Sequence, residues 1–201
     1  SELFPPESSV EFLAESKNVE PKRSEALVGE KFRLDDVIRL ALVESANDAA
    51  LALADTLGRE EFVILMNEKA LEMNLQNSFF RNPTGLDEEY NLSTAEDLEK
   101  IAEYITYYHP DLWEVTRIIE DVVYSDSGKA HIIKSTNEIL KEFPAIIGGK
   151  TGFTDRARGA LLFLYPVRPD KTAVAVILRS EDRFGDGRKI IKWLETISWN
   201  Q

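Results

Sequence analysis

Gly149-Lys150-Thr151-Gly152-Phe153-Thr154-Asp155 stands directly before two apolar runs, Arg158 to Val167 and Thr172 to Leu178, which meet at Pro169-Asp170-Lys171. The two runs read as a hairpin, and their nearly unbroken hydrophobicity is that of central strands covered on both faces. Set on a strand edge lining a cleft, the seven residues before them present three useful groups. Lys150 offers a positive charge to an anion, the Thr151 hydroxyl can bond a carboxylate, and Gly152 lets a ligand lie close against the backbone. Gly148 and Gly149 extend that open edge. The plainer alternative is a glycine-rich turn with a surface lysine, and a lone Lys-Thr-Gly does not choose between them. A phosphate-binding Gly-x-x-x-x-Gly-Lys-Ser/Thr loop is excluded, because the position that needs glycine is Pro144.

Upstream of this stretch, Val122-Val123-Tyr124, Asp126-Ser127-Gly128 and His131-Ile132-Ile133 read as a shorter hairpin. Before it the periodicity is helical. Leu34, Val37, Ile38 and Ala41 fall at helical spacing, with Asp35 and Asp36 in the first turn, where the helix dipole favours them. Asn47 to Leu57 is an Ala/Leu-rich buried helix stopped by Gly58, and an amphipathic helix follows from about Glu60 to Asn74. Asn82-Pro83-Thr84-Gly85-Leu86-Asp87 is a turn. Ser93-Thr94-Ala95-Glu96 reads as a capping box, with serine at N-cap and a helix behind it that His109-Pro110 ends. Residues 1–30, punctuated by Pro5-Pro6 and Glu20-Pro21, read as irregular. Downstream, Ile190, Ile191, Trp193, Leu194 and Ile197 mark a final amphipathic helix. Helices, then strands, then one helix predict an α+β fold. An antiparallel sheet packed with helices is expected over about 119–201 and a helical lobe over about 34–118, in a single domain.

The chain has 201 residues, enough for one domain that needs no staple. Its net charge of −12 and lack of any Lys/Arg cluster argue against a nucleic-acid partner. It has no cysteine, which excludes disulfides, thiolate metal sites and a cysteine nucleophile. His109 and His131 lack metal-ligand spacing, so neither a metal nor another cofactor is expected. Trp113, Trp193 and Trp199 read as packing anchors.

A second chemical element stands 105 positions before Lys150. Ser45-Ala46-Asn47 lies at the junction of two helical segments, where the serine can relay a proton and the asparagine amide can bind a carbonyl or steady a lysine. Simple helix capping is the competing account. A nucleophilic serine followed three positions later by lysine would complete the set, yet none of the thirteen serines has lysine at that spacing.

Taken together, the motifs resemble the D-alanyl-D-alanine carboxypeptidases, the low-mass penicillin-binding proteins of the S11 peptidase family. The residues that carry the resemblance are Val28-Gly29-Glu30-Lys31-Phe32 through Ser45-Ala46-Asn47-Asp48, Phe62 through Ala70, Asn82 through Asp87, Ser93 through Asp97, Gly149 through Asp155 and Asp182-Arg183-Phe184-Gly185-Asp186. They keep family order over roughly residues 14 to 198. The resemblance implies a β-lactamase-like, penicillin-binding transpeptidase fold whose N-terminal part is absent here. It implies a serine hydrolase of the bacterial cell wall that removes D-Ala from peptidoglycan stem peptides ending in D-Ala-D-Ala through an acyl-enzyme, with β-lactams as inhibitors. By position, Ser45 is the proton-relay serine, Asn47 bridges the catalytic lysine and the substrate, and Lys150 organises the proton network. Thr151 and Thr154 contact the substrate carboxylate beside Gly152, and Arg183 is a second anchor. An extracytoplasmic location, periplasmic or at the cell surface, with membrane association in the full-length protein, is expected on the same ground.

The missing Ser-x-x-Lys leaves three accounts open. The chain is a fragment whose upstream segment, carrying the nucleophile, was removed or acts as a separate partner. Alternatively it is a natural short form, a non-catalytic peptidoglycan-binding or interaction protein of the same fold. In the third, Ser45 is itself a nucleophile served by Lys150.

Overall fold

The structure, a computed structural model, describes residues 8–21 and 24–197. Pro5, Pro6 and Trp199 lie outside the described residues. The Lys-Thr-Gly stretch forms β5 (Gly148–Thr154), which pairs antiparallel with β6 (Arg158–Arg168), and β6 pairs with β7 (Lys171–Ser180) in the order β5-β6-β7. The register sets Lys150 against Leu162 and Thr151 against Leu161.

Alternation along β6 explains how the sheet is buried. Leu161, Phe163 and Tyr165 pack under α7 (Arg183–Thr196), against Ile191, Leu194 and Ile139 of the 3-10 turn Glu138–Leu140. Leu164, on the opposite face, meets Trp113 and Ala102. β6 is therefore covered on both faces, as its apolar run requires. β7 is packed on both faces, by Ala175 and Ile177 on the α7 side and Val174 on the Trp113 side, but it departs from the central position expected: it is an edge strand of this sheet, and Leu178 is left exposed.

The helical elements are α2 (Leu34–Leu42), α3 (Asn47–Asp55), α4 (Arg59–Glu72), α5 (Ala95–Tyr108) and the short α6 (Asp111–Thr116). The last was not read from sequence because six residues carry too little periodicity. α2 presents Val37 and Leu40, and α3 presents Ala49 and Ala52 with Ala46 just before it, to one core. That core also takes Val123 and Ile133 from the hairpin β3 (Glu120–Tyr124)–β4 (Ala130–Lys134). Residues 8–21 and 24–30 are less irregular than expected. Ser9–Glu11 is a strand, β1, paired with β2 (Lys31–Arg33), and Ala14–Lys17 is a turn of helix, α1. Val10, Phe12 and Phe32 drive into the same core from these strands.

Two details differ from the sequence reading. The N-cap of α5 is Thr94, whose Oγ1 accepts from Asp97 N–H at 3.2 Å, because Ser93 Oγ is held by Ser78 Oγ at 2.7 Å instead. Trp193 is exposed on the outer face of α7, whereas Trp113 is buried and donates from Nε1 to Thr106 Oγ1 at 3.0 Å.

Candidate active site

Between α2 and α3 the chain turns a tight corner. Ala46 N–H bonds back to Leu40 O at 3.1 Å, Ala46 is buried, and Ser45 takes a left-handed backbone with φ 56°. That conformation costs a non-glycine residue about 1–2 kcal/mol. It is held by the burial of Ala46 and the start of α3, and it turns Ser45 toward β5. Lys150 Nζ donates to Ser45 Oγ at 2.6 Å and to Thr151 O at 2.9 Å. A serine that accepts from an ammonium keeps its one proton for another acceptor.

The two residues stand in a cleft of about 720 Å³. One wall is Glu44, Ser45 and Asn47, another is Thr84–Leu86, and the floor is β5 from Lys150 to Thr154, with Ser135, Thr136 and Arg183 at the margins. The structure thus brings Ser45, Asn47, Lys150, Thr151, Gly152, Thr154 and Arg183 to one cavity. Gly152 is open: a methyl group built there meets only Ala160 Cβ, at 3.5 Å. Gly148 and Gly149 do not continue that open edge. A methyl on Gly148 would strike Trp113 at 2.7 Å, and one on Gly149 would strike Leu162 O at 2.5 Å. These glycines allow close packing, and the accessible edge begins at Lys150.

Three of the grouped side chains have partners that the motif reading did not anticipate. Thr154 Oγ1 donates to Asp87 Oδ1 at 2.7 Å and accepts from Ala157 N–H at 3.0 Å. A hydroxyl has one proton, so Thr154 clasps the Asn82–Asp87 turn to the end of β5 while it lines the cleft. Asp87 Oδ2 also accepts from Arg156 N–H at 3.2 Å. Asn47 Nδ2 donates to Pro21 O at 3.0 Å, which leaves its second N–H for another acceptor. The Arg183 guanidinium lies 4.5 Å from the Phe184 ring centre and 5.7 Å from that of Phe153, a stacked placement at the cleft margin.

Residues missed from sequence lie just behind these. Asp48, fully buried, accepts from Lys17 Nζ, Ser24 Oγ and Ser24 N–H, pinning the segment around Pro21 to the head of α3. Thr136 Oγ1 lies 2.6 Å from Thr151 Oγ1. Neither pairing has a local signal, since the partners are 31 and 15 positions apart. Among the described residues no group of three or more His, Asp or Glu side chains is placed to hold a metal ion, and no helix is long and apolar enough to cross a membrane.

A second cavity, about 360 Å³, runs behind β5 between α5 and the sheet. Its walls are apolar, with Leu98, Ile101 and Ile105 on one side and Leu162, Val176 and Leu178 on the other. Lys150, Thr151 and Gly152 line both cavities, so the groove ends at the cleft.

Comparison with known proteins places these features. The family model for D-alanyl-D-alanine carboxypeptidases, Peptidase_S11, matches residues 10–181. The D-alanyl-D-alanine carboxypeptidase DacF of Bacillus subtilis is 35% identical over 135 residues, which is 66% of this chain and 34% of the relative. A D-alanyl-D-alanine endopeptidase of Escherichia coli is 31% identical over 168 residues, 80% of this chain and 53% of the relative. The chain therefore spans between a third and about half the length of these curated relatives. Among solved structures, a penicillin-binding protein homolog from Mycobacterium tuberculosis superposes with a TM-score of 0.88 over 100% of this chain and 78% of that one, at 24% identity. The Streptomyces K15 DD-transpeptidase gives 0.87 over 98% and 82%, also at 24%. At that identity the likeness establishes the fold, an α+β penicillin-binding transpeptidase fold.

Proposed function

The chain belongs to the D-alanyl-D-alanine carboxypeptidase family, S11, and from that premise we propose that it is part of a serine-type D-Ala-D-Ala carboxypeptidase. Its substrate is a peptidoglycan stem peptide ending in D-Ala-D-Ala, met outside the cytoplasm, and β-lactams compete for the same cleft. One observation carries the reading: Lys150 and Ser45, 105 positions apart, meet at 2.6 Å inside a cleft that Asn47, Thr151 and Gly152 also line.

The grouping of these residues in one cleft supports the following division of labour. The terminal carboxylate lies toward Thr151 and the Arg183 guanidinium. The peptide backbone runs along β5, where Gly152 leaves room for it, and the second Asn47 N–H meets a substrate carbonyl. Acylation joins a serine oxygen to the carbonyl carbon of the penultimate residue and breaks the C–N bond to the terminal D-Ala. The attacking serine gives up its proton to the lysine of Ser-x-x-Lys, and Ser45 relays that proton to the leaving nitrogen, while Lys150 stays bonded to Ser45 Oγ and keeps its charge. Water then releases the acyl group. Lys150 adds positive charge where anionic character develops, which counts for more in a shielded cleft than in water.

The attacking serine comes from sequence outside these 201 residues, in a segment that seats in the apolar groove behind β5. Two features support that partner. The groove walls are apolar and it ends at Lys150–Gly152, so a helix with an apolar face lying there presents one end to the cleft. Beside it, β7 offers a strand edge for pairing.

Titration with a peptide ending in D-Ala-D-Ala tests the binding half of the reading on the chain as it stands. Saturable binding that Lys150→Ala weakens at least about tenfold is expected, since a hydrogen bond to a charged group contributes about 1.5–3 kcal/mol. Equal binding by both proteins would remove Lys150 from the site.

A further inference from the structure

Thr136 stands on the loop between β4 and β5, outside every motif that the sequence offers, and it touches both halves of the cleft. Its N–H bonds to Val43 O at 3.2 Å, at the end of α2 and two residues before Ser45. Its Oγ1 lies 2.6 Å from Thr151 Oγ1, a short and well-formed hydroxyl pair. Thr151 itself is buried, at 7% exposure, so its hydroxyl has little water to turn to. Of the two hydroxyls only one can donate in this contact, and the arrangement alone leaves the direction open.

An anion in the cleft removes that freedom. A carboxylate accepts and cannot donate, so Thr151 must spend its single proton on it. Thr151 Oγ1 then has to accept from Thr136, whose proton is the one placed to meet it. We infer that Thr136 is a positioning residue for carboxylate recognition: it donates to Thr151, fixes the Thr151 hydroxyl rotor toward the cleft, and so selects substrates with a free terminal carboxylate over neutral ends. The assignment rests on the proposal that Thr151 meets the carboxylate, and it adds the residue that sets the direction. The backbone bond to Val43 holds Thr136 in place without ligand, so the donor is ready before binding. A hydroxyl that accepts a hydrogen bond also becomes a better donor, because bonds in a chain polarise one another. Loss of Thr136 therefore weakens the acid form of a ligand and leaves its neutral form nearly untouched.

The experiment compares two probes, a peptide ending in D-Ala-D-Ala with a free carboxylate and the same peptide as its C-terminal carboxamide, titrated into the chain and three variants. Wild type binds the acid more tightly than the amide. In Thr136→Val, which keeps the shape and removes the donor, the acid-to-amide affinity ratio falls about five- to tenfold, and in Thr136→Ser it returns to within about twofold of wild type. Thermal midpoints measured alongside separate this from a general loosening, because a merely structural role lowers both affinities together and leaves their ratio alone. A Thr136→Val ratio equal to that of wild type overturns the assignment, as does a Thr136→Ser ratio as low as that of Thr136→Val. Thr151→Val tells the two proposals apart. It lowers the acid-to-amide ratio at least as far as Thr136→Val does if Thr151 meets the carboxylate, with Arg183 sustaining what remains, and a ratio equal to that of wild type refutes that contact. Wild type that saturates with neither probe refutes the peptide site itself, and the role of Thr136 with it.

Discussion

Replacing Lys17 by methionine leaves the Asp48 carboxylate buried without its cation, and the cost follows from the surroundings of the pair. Asp48 is fully buried and Lys17 is 13% exposed, so solvent screens neither end effectively. Removing one partner of such a pair destabilises by about 3–5 kcal/mol, because the remaining charge stays desolvated. Asp48 keeps its hydrogen bonds from Ser24 Oγ, from Ser24 N–H at 3.4 Å and from Ala49 N–H at 3.0 Å, which puts the expected loss at the lower end, about 3 kcal/mol. With a urea slope of about 2 kcal/mol per molar, the unfolding midpoint falls by roughly 1.5 M. Asp48→Asn costs less, because Lys17 retains Ser24 O at 3.2 Å and Ser24 Oγ at 3.3 Å and has some access to water. The assay is urea unfolding followed by circular dichroism, with Lys31→Met as the control. Lys31 pairs with Glu11 across two half-exposed side chains and is worth about 0–1 kcal/mol. A Lys17→Met shift no larger than that of Lys31→Met would show that this pair does not hold α1 to α3.

Two glycines of β5 should part company. Gly149→Ala forces a methyl to 2.5 Å from Leu162 O and lowers stability by about 1–3 kcal/mol, while Gly152→Ala meets only Ala160 at 3.5 Å and leaves the thermal midpoint nearly unchanged but weakens peptide binding. Equal midpoints for the two variants would contradict the packing. Burial and the hydrogen bond to Glu195 at 2.7 Å push the Tyr165 hydroxyl up to about 12. The folded form thus favours the neutral phenol, and the contribution is whole below the ordinary value of 10.0 and lost as pH rises toward 12. Tyr165→Phe should flatten the stability profile in that window. For Asp97, burial pushes the carboxyl up, but bonds from Asn77 N–H at 2.7 Å, Ser78 Oγ at 2.9 Å and Lys100 outweigh it and hold it below 3.8. Its contribution is present above that value and lost as pH falls through the folded value, so Asp97→Asn should blunt the acid limb of an unfolding profile. An unchanged acid limb would remove Asp97 from it.

What could be read before any coordinates was whatever repeats locally or keeps family order. The spacing of Leu34, Val37 and Ala41 marked α2, the two apolar runs marked β6 and β7, and the order of Ser45-Ala46-Asn47 before Lys150-Thr151-Gly152 indicated one cleft. What could not be read depends on partners distant in the chain. The bond from Thr154 to Asp87, 67 positions away, has no local signal. Ser93 looked like the cap of α5 until Ser78 held it. β1 is three residues long, too short to alternate visibly, and is recognisable only by its pairing with β2. Trp193 shows the converse limit: helical spacing sets it near Ile190 and Leu194, yet Ile191 and Leu194 are buried and Trp193 is exposed. Gly148 and Gly149 suggested openness by composition, but Trp113 and the β6 backbone fill the space they leave.

In the proposed function these 201 residues carry the substrate-facing side of a serine peptidase site and not its nucleophile. Intact-mass analysis after incubation with a fluorescent penicillin distinguishes the cases. No covalent adduct is expected on the chain alone. One adduct is expected when an S11 segment carrying Ser-x-x-Lys is supplied upstream, mapped to that serine and lost in Lys150→Ala. No adduct in either case would contradict the enzyme reading, and an adduct on Ser45 in the chain alone would show that the nucleophile had been here all along.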